Sequence, residues 1–76
     1  MTETKIKLNT FADVQAFVSI ITTFAFDIDL VSGRYIVDAK SIMGIYSLDL
    51  ASPIALRAYT EDAEELFEAI DKYIVK

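Results

Sequence analysis

Histidine and cysteine are both missing from this 76-residue chain. Without cysteine there is no disulfide framework, thiol nucleophile or thiolate metal site. Without histidine as well, the common zinc sites are excluded, and so are Ser-His and Cys-His catalysis. Glycine occurs twice and proline once, while 54% of the residues are hydrophobic, a balance that argues against disorder. Basic residues are few, 7 Lys and Arg against 12 Asp and Glu, for a net charge of −5. A phosphate backbone would be repelled, so a nucleic-acid partner is not expected. The most apolar stretch, Phe17 to Phe26, contains Ser19, Thr22 and Thr23 and falls far short of the ~20 residues a spanning helix needs. Met1-Thr2-Glu3-Thr4-Lys5 lacks the apolar core of a signal peptide. The expectation is one soluble, cytoplasmic domain, residues 1–76, with no metal, cofactor or membrane partner.

What is present reads as short alternating and striped segments. Lys5-Ile6-Lys7-Leu8 alternates as a strand with one wet face. Thr10, with Asp13 three residues on, predicts the start of a helix running to about Phe24, striped by Val14, Phe17, Val18, Ile21, Phe24 and Ala25. Phe26 to Leu30 alternates as a second strand with Asp27 and Asp29 outward, Ser32-Gly33 is a turn, and Arg34 to Asp38 returns as a third. Ser41 opens a short helix that points Ile45 and Leu48 inward and ends before Pro53. Ile54, Leu56 and Ala58 share one face of a fourth strand. Thr60 is expected to cap a final full-length helix striped by Ala63, Leu66, Phe67, Ile70, Tyr73 and Ile74. The order βαββαβα, with every helix striped on one face, fits a two-layer α+β sandwich. A short middle helix and a helix after the last strand weigh against a ferredoxin-like alternative.

The segment Lys40-Ser41-Ile42-Met43-Gly44, completed by Ser47 and Leu48, resembles the regulatory-serine segment of the HPr family, the small phosphocarriers of the bacterial sugar phosphotransferase system. Asp27-Ile28-Asp29-Leu30 and Ser32-Gly33 fall at the family's distance before it without a gap. The resemblance implies an open-faced sandwich, a four-stranded antiparallel sheet of order 1-4-2-3 with three helices on one face. It fails at the phosphocarrier loop. Where the family has a His-Ala-Arg-Pro motif, this chain has Asn9-Thr10-Phe11-Ala12-Asp13-Val14. Either Thr10 or Phe11 stands at the position of the phosphoacceptor histidine, the first by ungapped counting from Ser41 and the second with one gap. A branch of the family, catabolite repression HPr, also lacks that histidine and keeps the serine.

Ser41 therefore has two compatible readings: helix cap, and regulatory phosphorylation site served by HPr kinase, the latter implied by the resemblance. Phe11, Ile42, Met43 and Tyr46 are expected beside it as a partner-binding patch, since clustered apolar side chains near a switchable serine suit an interface. The acids Glu61, Asp62, Glu64, Glu65 and Glu68 read as the solvated first turns of a helix and not as a cation site. No catalytic acid–base pair is evident. The function expected is that of a non-catalytic, phosphotransferase-related module. It would bind proteins, with HPr kinase or a transcriptional regulator among the implied partners. The alternative is a constitutive binding module, or a phosphocarrier relic that is never phosphorylated.

Overall fold

Alternation of burial along the strands decides how the sheet is used. In the computed structural model, which describes residues 1–76, the elements are β1 (Thr2–Ile6), α1 (Phe11–Ile21), β2 (Ile28–Ser32), β3 (Tyr35–Asp38), α2 (Ile42–Tyr46), β4 (Ile54–Ala58) and α3 (Glu64–Ala69), followed by a 3-10 turn at Asp71–Tyr73. The four strands form one antiparallel sheet in the order β1-β4-β2-β3. Ile6, Ile28, Leu30, Ile54, Leu56 and Ala58 point to one face and are buried. In register, Leu30 lies beside Leu56 and Ile28 beside Ala58, so the two central strands present one continuous apolar surface. Val14, Phe17 and Ile21 of α1, Ile45 of α2 and Leu66 of α3 join the same cluster, each worth about 1.5–3 kcal/mol of burial. Glu3, Arg57 and Asp29 carry the opposite face, adjacent to one another across β1, β4 and β2. The architecture is the expected open-faced α+β sandwich.

Several boundaries move, each for a local reason. The first strand, expected over Lys5 to Leu8, runs Thr2–Ile6 because that stretch pairs with β4. Lys7 instead donates its N–H to the Tyr73 carbonyl at 2.8 Å, and Leu8 is buried outside the ladder. Helix α1 stops at Ile21, short of Phe24. Past that point the Thr22 and Thr23 hydroxyls donate to the carbonyls of Ser19 and Ile20, competing for helical acceptors. Phe26 leaves the second strand and packs against Phe24, with ring centroids 5.6 Å apart. The hairpin turn is Gly33-Arg34, with Ser32 closing β2, and Gly33 takes the φ of 60° that an L side chain resists.

The largest departure is at the last helix. Thr60 does not cap it: its hydroxyl accepts the Asp62 N–H at 3.2 Å, while the Asp62 carboxylate accepts from Glu64 N–H. Ala63 occupies the cap position without a side-chain bond. The expected full-length helix is a six-residue one continued by the 3-10 turn, yet Ala63, Leu66, Ile70 and Tyr73 are still buried.

Candidate functional site: the face formed by α1 and α2

Both helices of this face begin with a hydroxyl cap. Thr10 Oγ1 accepts the Asp13 N–H at 3.1 Å, and Asp13 Oδ2 reaches back to the N–H groups of Asn9 at 3.1 Å and Thr10 at 3.3 Å. This reciprocal box satisfies backbone donors that an uncapped helix start leaves open. At α2, Ser41 Oγ accepts the Gly44 N–H at 3.1 Å. Glycine at position 44 permits the approach, because a Cβ there would lie 3.2 Å from Ser41 Oγ and 3.2 Å from the Val37 side chain. Lys40, next to Ser41, folds its ammonium onto the carbonyls of Phe24 at 2.8 Å and Phe26 at 3.1 Å. It thereby ties the α2 entrance to the connection that follows α1.

The fold then sets the start of α1 against the end of α2. Phe11, the first residue of α1, lies nearly parallel to Tyr46, the last of α2, with ring centroids 5.6 Å apart and planes 3° apart. Phe11 is 61% exposed, Tyr46 37% and Met43 76%, so all three present apolar surface to solvent. Ile42 is half-buried and packs on the core, which places it at the patch's inner edge. Ser41 is exposed at the opening of α2. From Asn9 to Phe26 Asp13 is the single charged residue; it is held in the cap, and Lys40 is held by carbonyls. The face is apolar and almost uncharged.

Chemically, this arrangement offers two hydroxyls, each accepting a backbone N–H; the one carboxylate close to them, Asp13 beside Thr10, is taken up by the N–H groups of Asn9 and Thr10. Thr10 and Ser41 are thus exposed caps, and of the four side chains anticipated as a patch, Phe11 and Tyr46 are in direct contact, Met43 is exposed and Ile42 packs on the core. What sequence could not show is the ring stack, because Phe11 and Tyr46 lie on different helices. It also did not show that Asp27, Asp29 and Asp38 gather with Tyr59 in a shallow recess of the open sheet face. There the Tyr59 hydroxyl donates to Asp29 Oδ2 at 3.1 Å. This bond, then desolvation, then the carboxylate's charge raise the phenol above its ordinary value, against a smaller opposing effect of Arg57.

The family model described as PTS HPr component phosphorylation site matches residues 13–76. The chain belongs to the HPr family. The match includes Ser41 and the whole α2 patch, and it begins beyond Thr10 and Phe11. HPr-C-His from Thermoanaerobacter tengcongensis is 29% identical, over 95% of this chain and 89% of its own, with a TM-score of 0.80. A phosphocarrier protein HPr from Bacillus anthracis str. Ames is 30% identical, over 97% and 96%, with a TM-score of 0.75. No curated protein matches the chain. The sheet order β1-β4-β2-β3 and the three helices are those of HPr, and no helix is long and apolar enough to cross a membrane.

Proposed function

We propose that this HPr-family chain has left the phosphate relay and works, without catalysis, by binding other proteins in a bacterial cytoplasm through the α1–α2 face. The observation that carries the reading is the absence of any histidine. Relay needs a labile N–P bond, and Thr10, where the phosphoacceptor position falls by ungapped counting, would form a phosphate ester far too stable to pass on; Phe11, the gapped alternative, has no acceptor. The loop also lacks the arginine that would balance a phosphoryl charge. Asp13 adds a further obstacle, because its carboxylate already occupies the Asn9 and Thr10 N–H groups and repels a second anion.

Ser41 is the candidate switch. Phosphorylation there adds about −1.5 to −2 charge beside Met43 and Tyr46 on a face that is otherwise nearly neutral, and so would alter which partner it fits. HPr kinase and a transcriptional regulator are the partners the family suggests. Purified HPr kinase with ATP should add one phosphate to the wild type and none to Ser41→Ala; no incorporation into either removes the switch. The second reading, a constitutive module or unphosphorylated relic, is favoured by the Phe11–Tyr46 stack, which is exposed whatever the state of Ser41. It predicts a partner recovered equally by wild type and Ser41→Ala and lost with Met43→Glu/Tyr46→Glu. Recovery indifferent to the patch variants counts against binding at this face.

A further inference from the structure

The edge of β1 is only half covered. The C-terminal segment runs antiparallel to it, with Ile74 opposite Ile6, Lys7 N–H donating to Tyr73 O at 2.8 Å and Val75 N–H to Lys5 O at 2.9 Å. Lys5 and Lys7 thus turn their backbone groups outward, away from β4. Hydrogen-bonding direction alternates along a strand, so the N–H and C=O of Glu3 point to the same outer edge, where nothing pairs with them. An unpaired edge is a template for another strand.

Beside this open stretch, on the helix side, lies a groove of about 680 Å³ lined by Thr2, Ala63, Phe67 and Ile74 and bordered by Glu61, Glu64, Glu68 and Asp71. Phe67 and Ile74 are half-buried. The chain's two salt bridges, Arg57–Glu3 and Lys76–Asp71, leave Glu61, Glu64 and Glu68 without a cationic partner. The groove is apolar along its floor and negative along its rim.

We infer that this edge and groove together accept an extended, basic segment of a partner protein, added as a fifth strand beside β1. Backbone pairing at Glu3 would supply affinity and the groove specificity, as in strand addition generally. Groove-facing side chains of such a strand recur every second residue, about 6.6–6.8 Å apart. An apolar one rests on Phe67 and Ile74, and flanking lysine or arginine reaches Glu64 and Glu68. The occupant is not a second copy of this chain, whose net charge of −5 opposes the rim. The site uses different elements from the α1–α2 face and stands whether or not that face binds.

The probe is a nine-residue peptide in which lysine, leucine and lysine fall at every second position with threonine between, titrated into the full chain and followed by backbone amide NMR. The expected result is shift changes at Thr2, Glu3, Thr4, Phe67 and Ile74, with slowed hydrogen exchange at the Glu3 amide. Glu64→Lys/Glu68→Lys, both exposed positions, should weaken binding roughly tenfold or more, and N-methylating the peptide's threonines should weaken it similarly. No shift at millimolar peptide, equal binding of a peptide with glutamate for lysine, or shifts centred on Phe11, Met43 and Tyr46 would each overturn the inference. A peptide-independent dimer through β1 would do the same.

Discussion

The α1–α2 face and the α3 end are built from similar amphipathic helices and differ in nearly every other respect. On the first, two hydroxyl caps fix the helix starts, the outward side chains are Phe11, Met43 and Tyr46, and charge is almost absent. At the second, the cap position falls on Ala63, which makes no side-chain bond, the Asp62 carboxylate taking just the Glu64 N–H, and six of the chain's 12 acidic residues lie between Glu61 and Asp71. The net charge of the molecule is therefore concentrated at one end, which leaves the other free for contacts governed by shape and apolar area. One core serves both: Phe17 of α1 meets Tyr73 edge-on, with ring centroids 5.8 Å apart.

That shared contact gives the strongest way to break the contrast. Phe17→Ala should cost about 3–5 kcal/mol and lower the urea midpoint of both regions together; an α3 end that unfolds alone while α1 and α2 persist would show two independent units. Next, Thr10→Ala should cost about 1 kcal/mol through loss of the capping box, whereas Thr60→Ala, at a hydroxyl that closes only a turn, should stay within about 0.5 kcal/mol. Equal losses in urea titrations would erase the capped–uncapped distinction. Phe11→Ala should lower stability by no more than about 0.5–1.5 kcal/mol while removing partner binding at the face, since its ring is mostly exposed. The smallest effect concerns the open sheet face. Asp29→Asn should bring the Tyr59 phenol down toward about 10, read by phenolate absorbance. In the wild type its raised value means that the Tyr59–Asp29 contribution is full below the unfolded phenol's value and fades as pH climbs through the folded one. An unchanged titration would show that Asp29 is not the cause.

Periodicity was sufficient for the element order: β4 buries Ile54, Leu56 and Ala58, α1 buries Val14, Phe17 and Ile21, and the last helical stretch buries Ala63, Leu66, Ile70 and Tyr73. Val18, Phe24, Phe67 and Ile74 are only half-buried, and Ala25, expected on the α1 stripe, is exposed beyond the helix end. The strand order needed the HPr resemblance, since alternation says which face is inward and nothing about which strand is the neighbour. Ends were less legible where side chains rival the backbone: Thr22 and Thr23 close α1 early, and Thr60 spends its hydroxyl on Asp62 instead of the helix. Of the site, Ser41 and the α2 patch could be read from one motif. The stack of Phe11 on Tyr46 and the groove beneath β1 arise from contacts between distant segments, and the acids of α3 gave no hint that the half-buried Phe67 lines a groove among them.

A chain without imidazole should hold no transferable phosphoryl group. Incubation with phosphoenolpyruvate and the enzyme that charges HPr tests it directly. No acid-labile phosphate should appear on the chain, under conditions that label an authentic HPr to completion. Acid-labile label on this protein, passed on to a sugar permease, would show that it is a working phosphocarrier after all.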